Sequence, residues 1–344
     1  MPENLVITAA AAVTPYGIGV AEFARGMAAG APEATPLPGW HAGAALAATV
    51  PAYDARALLA TRVISNFDRL TRHVCVATQQ LQQSLGLDGA ADGSRVSMVC
   101  GSSGPLQSIM EIDLQTIAEP SHLQPSLIPN LVFSAPASYA ALRHGIRGSC
   151  ITLTEGVTAS LQAFAVAAAQ LQAGRVDLAL VCGAEEATPA YALYRAASGT
   201  IAAPLTEGAV IFALERAEHA ALAGRASLAR LLACAHVFAP GDSAGGLAAC
   251  LRQLRRQAGK QLAEVGVVCA EAAPDLDAFG LAGCRRVSLE ERLGDCGAMY
   301  ASLAALNALC RPDIVPGEVI LLLQTSAEGV CAAMLLQKHR TLEA

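Results

Sequence analysis

The chain has 344 residues, 23 Lys and Arg against 29 Asp and Glu, and a net charge of −6 with no basic run. That balance argues against nucleic acid as a partner, because phosphate binding needs clustered cations. Hydrophobic residues make up 53% and charged residues 15%, so much of the surface is expected to be buried against another subunit.

From the N-terminus, residues 1–10 lack a charged segment ahead of a long apolar stretch and run straight into a strand, which predicts no signal peptide. Leu5 to Thr8 read as a β-run, which Val13, Thr14 and Pro15 with Gly17 and Gly19 interrupt. Ala21 to Gly30 follow as a helix closed by glycine. Residues 31–60, rich in Pro, Gly and Ala, read as irregular. A helix begins at Asp68 and continues through Gln83 with its apolar residues on one face. Val96 to Cys100 form an apolar run ending in Gly101-Ser102-Ser103-Gly104, a buried strand and a tight turn. Ile151 to Leu153, an Ala-rich helix from Thr158 to Ala173, and Leu178 to Cys182 make a strand–helix–strand unit.

The second half repeats this grammar. Val210 to Leu214 and Leu228 to Ala233 read as paired strands, Leu251 to Leu262 as a helix and Val265 to Ala270 as a buried strand. Met299 to Leu309 is another helix, and Val319 to Leu323 with Ala332 to Leu336 close the chain as a hairpin. Two halves, 1–200 and 201–344, each mixing buried strands with helices, predict a layered α/β architecture in duplicate. No segment reaches the apolar length of a membrane helix, and a soluble cytoplasmic protein is expected. The eleven cysteines show no CxxC pairing. Cys182, Cys269 and Cys331 lie in apolar runs and read as buried thiols rather than disulfides or metal ligands.

Several segments together resemble the β-ketoacyl synthase family of the thiolase fold. The opening Val6-Ile7-Thr8 through Ala12-Val13-Thr14-Pro15-Tyr16-Gly17 is similar to its first strand and turn, and Phe67-Asp68-Arg69 to the start of its next helix. Ile128-Pro129-Asn130, Ala135-Pro136-Ala137-Ser138 and His144-Gly145-Ile146-Arg147-Gly148 resemble the approach to the nucleophile. Leu178 to Glu186 resembles the buried strand with its Gly-Ala-Glu turn. Ala209 to Glu215, with Glu218-His219-Ala220 and Gly224, resembles the start of the second half. Gly294-Asp295-Cys296-Gly297-Ala298 resembles a late glycine turn before a helix. In order, these fragments span nearly the whole chain. The resemblance implies a thiolase-like α/β/α/β/α fold of two similar halves.

The resemblance also implies a chemistry, and the residues that should carry it differ here. Members of the family form a thioester on a cysteine at a strand-to-helix turn, where a helix N-terminus lowers the thiol pKa and backbone N–H groups stabilise the oxyanion. Counted from Gly148, that position falls on Val157, which cannot act as a nucleophile. Cys150 lies upstream and reads as a buried packing residue. The family's two histidines align with Glu271 and Glu291, and no histidine occurs between His236 and His339. A carboxylate only accepts hydrogen bonds and would repel the enolate that decarboxylation generates. The C-terminal loop, Thr325-Ser326-Ala327-Glu328-Gly329, and the shortened Pro204-Leu205-Thr206 also depart from the pattern.

Two-component members of the family pair an active ketosynthase with a homologous chain-length factor that lacks the nucleophile. The resemblance therefore implies a subunit that is not an enzyme on its own. Its expected partner is an active β-ketoacyl-ACP synthase in polyketide or fatty-acid elongation, with acyl carrier protein as a further partner and no cofactor or metal. By the same resemblance Ile109, Leu131 and Phe133 are the candidates for the tunnel wall and interface. The reduced length is similar to the synthase-like partners encoded for aryl polyene pigments. Usual chain-length factors carry glutamine where Val157 stands, a departure that weighs against decarboxylase activity.

Two rivals stand beside this reading. One is a homodimeric acyltransferase whose altered site uses Glu271, Glu291 or an unexpected cysteine; Glu155, Glu271 and Glu291 could converge on one acid–base pocket, although pairing of each with an arginine, Arg286 and Arg292 being near in sequence, is the more ordinary expectation. The other is a structural or carrier-binding protein without a tunnel. Gly101 to Gly104 lacks the Lys and spacing of a P-loop and reads as the turn after its strand. His73 and His144 read as structural histidines, and Ser134, Ser138 and Ser160 have no His/Asp constellation in the sequence.

Overall fold

The computed structural model describes residues 4–37, 45–60, 67–87, 93–122, 125–198, 204–270 and 276–342. The first part of the chain forms β1 (Leu5–Thr14), β2 (Gly17–Ile18), α1 (Val20–Ala29), β3 (Thr35–Pro36), β4 (Leu46–Ala48), α2 (Ala55–Leu59) and α3 (Arg69–Ser84). Next come β5 (Val96–Gly101), α4 (Leu106–Ala118), α5 (Ala135–Arg143), β6 (Cys150–Leu153), α6 (Ala159–Gln172), β7 (Leu178–Glu185) and α7 (Pro189–Ala197). After β8 (Leu205–Thr206) follow β9 (Gly208–Arg216), α8 (Ala217–Leu222), β10 (Ala229–Phe238) and α9 (Ser243–Ala258). The chain ends with β11 (Val265–Ala270), β12 (Arg285–Val287), α10 (Glu290–Leu293), α11 (Tyr300–Cys310), β13 (Val319–Thr325) and β14 (Val330–Lys338).

Strand pairing makes the duplication visible. From the middle outward, one set runs β1-β9-β7-β5-β6 and the other β10-β14-β13-β11-β12, joined where β1 pairs with β10. In each set the first two pairings are antiparallel and the next two parallel. The first set extends past residue 200 to Arg216, because β9 lies between β1 and β7.

Alternation along the strands assigns the layers, since successive side chains point to opposite faces. Ala179 and Val181 of β7 join a core shared with α6 and α11, while Leu178, Leu180 and Cys182 face α3 and α5. On β13, Ile320 and Leu322 enter the same central core, while Val319, Leu321 and Leu323 pack beneath α9. The result is α3 with α5, a sheet, α6 with α11, a second sheet, and α9. This is the layered thiolase-like fold. The central helices are buried nearly all round and rich in Ala, Ser and Leu, which lets two sheets close on them.

Three expectations need correction. Strands β9 and β10 do not pair with each other; β1 inserts between them, a long-range arrangement that local periodicity cannot encode. Helix α9 begins at Ser243 rather than Leu251, with the Asp242 side chain accepting from the Gly245 N–H. Its Gly245-Gly246 start hides it, yet a Cβ at Gly246 would collide with Cys331 Sγ. Cys150 is exposed rather than buried, because among the described residues β6 pairs only with β5 and its outer edge is left without a neighbouring strand.

Candidate functional site

The strand β6 delivers the chain into a tight turn at Gly156–Thr158 from which α6 starts. Gly156 takes φ +60°, a left-handed value that glycine adopts without penalty. Val157 is buried, 7% exposed, and its carbonyl accepts a 2.9 Å hydrogen bond from Gln324 Nε2 at the end of β13. Thr158 Oγ1 donates to Glu155 O (3.1 Å) and accepts from Gln162 Nε2 (3.1 Å). The sheet presses on this helix start. A Cβ at Gly101 would collide with the Ser160 N–H, and one at Gly183 would stand 2.5 Å from Ser302 Oγ. The turn thus places residue 157 at a helix N-terminus, where an anion would be favoured, and offers a side chain with no group to ionise.

A buried carboxyl clamp lies behind the turn. Glu185, at the end of β7, is fully buried and accepts from Ser103 Oγ (2.7 Å), Ala298 N (3.1 Å) and Glu186 N (3.2 Å). Burial pushes its carboxyl up to about 7 against the pull of these donors. Burial likewise pushes Glu186 up to about 8, although it accepts from Gln107 N (2.9 Å) and Thr188 Oγ1 (3.2 Å). Gly297 sits over this clamp at φ +50°, where any Cβ would strike Tyr191 Oη. Asp295 accepts from Arg195 Nε (2.7 Å) and from the Gly297 N–H (2.9 Å). Together these bonds tie the Ser102-Ser103 turn, α4, α7 and the 294–298 turn into one block beside Val157. The run Glu185-Glu186 at the end of an apolar strand was a legible signal for a buried acid, and the reading above did not use it.

The other anticipated residues are scattered. Glu271 lies outside the described residues. Glu291, on α10, and Glu155 are both exposed, and neither makes an ion pair among the described residues; the expected pairing with Arg286 and Arg292 does not form for these two. His73 bonds Tyr53 Oη through Nδ1 (2.7 Å), and burial with the Arg69 charge beside it brings it down to about 3. His144 bonds Cys75 O through Nε2 (3.0 Å), and burial lowers it to about 4. Both are neutral structural histidines. The Gly101–Gly104 segment is a turn, with Ser102 Oγ accepting from the Gly104 N–H (3.0 Å).

Ile109 and Leu131 are half-buried, on α4 and on the 125–131 turn that packs against it. Phe133 is 47% exposed, and its ring rests where a Cβ on Gly104 would have to go. Leu114 and Ile117 on α4, Ile128, Val132, and Leu193 and Tyr194 on α7 add further exposed apolar surface. Among the described residues no cluster of three His, Cys, Asp or Glu is poised to hold a metal, and no helix is long and apolar enough to cross a membrane.

Residues 3–207, more than half the chain, match the family model for the β-ketoacyl synthase N-terminal domain. The chain belongs to the β-ketoacyl synthase family. The ishigamide ketosynthase/chain length factor is a similar solved structure, 30% identical, with a TM-score of 0.84 over 98% of this chain and 99% of that one. A β-ketoacyl synthase from Burkholderia phymatum shares the fold at 17% identity and TM-score 0.83, covering 98% of this chain and 100% of the other. A type II PKS acyl-carrier protein complex with its ketosynthase bound to the hexaketide also shares it, at 16% identity and TM-score 0.78, over 98% and 99% of the two chains. No curated protein matches the chain.

Proposed function

We propose that this β-ketoacyl synthase family member is a non-catalytic, chain-length-factor-like subunit. In this reading it pairs with an active β-ketoacyl-ACP synthase during polyketide or fatty-acid elongation and shapes the acyl tunnel. The observation that carries the proposal is Val157: the strand, turn and helix that present a nucleophile are all retained, and the side chain at their focus is an alkyl group. The likeness to the ishigamide ketosynthase/chain length factor supports it. The edge strand β6 offers unpaired backbone groups, and the apolar surface around α4 and Phe133 lies open, which is the condition of a chain that lacks its partner. Assignment to the aryl polyene type belongs to the same proposal and rests on the reduced length. An acyl carrier protein would deliver substrate to the partner's cysteine rather than to this chain.

Co-expression with the ketosynthase encoded nearest to it, followed by native mass spectrometry, tests the reading. A one-to-one heterodimer whose condensation stops when the partner's cysteine is replaced is the expected result. A homodimer that ignores the synthase would overturn it and return attention to the glutamates.

A further inference from the structure

Between α1 and the last turn of α11 the fold leaves a crevice of about 270 Å³. Its two long walls are matched i, i+3, i+4 faces. Phe23 is buried, and Gly26 lies so close to the Tyr16 ring that any Cβ would collide with it. That rotation sets Ala24, Met27 and Ala28 on one wall, and Asn307, Cys310 and Arg311 of α11 form the other. Two of the three α1 side chains are methyl groups, so the gap stays unfilled. Ser288 and Arg292, before and within α10, also line it.

Asn307 stands out in this setting. It is 3% exposed in a helix otherwise built of Ala, Leu, Ser, Tyr and Cys, and its Nδ2 finds no acceptor. Other buried polar atoms among the described residues also lack partners, but none of those lines this crevice. A buried donor left unsatisfied is costly, and one in a cavity wall calls for an acceptor inside the cavity. Charge points the same way. Asp313 is committed to Arg311 (2.6 Å) and Arg285 (3.3 Å), and Arg285 also to Glu318 (3.2 Å), so these groups balance. Lys338 Nζ donates to Ala308 O (3.2 Å) and Arg311 O (2.7 Å), which offsets the negative end of α11. Arg292 is left as the uncompensated cation of the crevice, with no carboxylate partner among the described residues. The rest of the wall is apolar, including the Cys310 thiol, which burial pushes up to about 12 and keeps neutral.

We infer that this crevice binds a small aliphatic monocarboxylate, its oxygens on Arg292 and Asn307 Nδ2 and its alkyl chain along Met27 and Ala28. An exposed arginine alone selects no ligand; the orphaned buried amide beside an apolar wall does. A cavity of about 150 Å³ holds a benzene-sized molecule, so this one has room for a short-chain acid. The crevice lies at the opposite end of α11 from Ala298 and the Val157 turn, which makes it separable from the heterodimer proposed above.

Ligand-observed NMR titration of the full chain with hexanoate, hexanamide and 1-hexanol tests the inference. Hexanoate should bind with a dissociation constant on the order of 1 mM or tighter, and about tenfold tighter than the two neutral probes. Arg292→Gln, at an exposed position, and Asn307→Leu, a near-isosteric apolar replacement, should each weaken hexanoate about tenfold. Asn307→Leu should also keep or raise the melting temperature of the ligand-free chain, because the orphaned donor is gone. Ala28→Leu, which fills the crevice and leaves both polar groups in place, should abolish binding. Pairing with the ketosynthase should be the same in all three variants. No hexanoate binding, equal binding of the three probes, or hexanoate binding untouched by Arg292→Gln and Ala28→Leu would overturn the inference, the last because the acid would then sit elsewhere, as in an acyl tunnel.

Discussion

Replacing Glu185 by Gln probes the clamp that supports the Val157 turn. The wild-type carboxyl is fully buried, and burial raises it from its ordinary 4.5 to about 7. Between those two values the folded chain holds a proton that the unfolded chain has released. The stability linked to this group is therefore complete below pH 4.5, declines as pH rises, and is lost above about pH 7. At 1.36 kcal/mol per pK unit the decline amounts to about 3 kcal/mol. Glu186, raised in the same direction, adds its own decline, so only the difference between wild type and variant isolates Glu185. Glutamine keeps one oxygen for Ser103 Oγ and Ala298 N but turns its NH2 toward the Glu186 N–H, a cost on the order of 1–2 kcal/mol at every pH. Urea denaturation at pH 5 and pH 8, followed by circular dichroism, reads both effects. E185Q should be less stable than wild type at pH 5, and wild type should lose about 3 kcal/mol more than the variant on moving to pH 8. Parallel profiles would refute the reasoning and mean that the three donors keep Glu185 ionised in the fold.

Phe133→Ala should lengthen or broaden the product distribution of the heterodimer without abolishing condensation, and an unchanged chromatographic profile would remove Phe133 from the tunnel wall. Gly183→Ala should destabilise the chain by about 1–3 kcal/mol in urea denaturation, since the new methyl meets Ser302 Oγ and Ser160 Cβ; adding Ser302→Gly should recover part of the loss. Phe164→Ala, which vacates a fully buried ring packed 5.5 Å from Phe212, should cost about 3–5 kcal/mol. Cys150 should react with iodoacetamide in the isolated chain and become protected in the complex, because it stands on the exposed edge of β6; equal rates in both states would place the interface elsewhere.

Legibility in the sequence followed the range of the interactions involved. Strands such as Val96–Gly101 and Val319–Thr325 are continuous apolar runs because both faces are covered, and helix α3 announces itself through its Asp68 cap and one-sided apolar face. The start of α9 was hidden because Gly246 serves a close approach to Cys331, a requirement imposed from 85 residues away. Glu185 shows the same limit at a larger scale. Its neighbours in sequence mark an acid at the end of a buried strand, while its protonation depends on Ser103 and on Ala298, the latter 113 residues distant.

Residue identity alone supplied the two facts on which the proposed non-catalytic role rests: Val157 has no ionisable group, and no histidine occurs between His236 and His339. Composition and local periodicity likewise sufficed for the alternation of strands and helices, since these depend on each residue and its near neighbours. The placement of β1 between β9 and β10, the exposure of Cys150 and the protonation of the Glu185–Glu186 pair emerged with the folded chain. Each of these depends on burial and on contacts between distant segments. Desolvation and strand pairing are properties of the packed whole, and no window of neighbouring residues contains them.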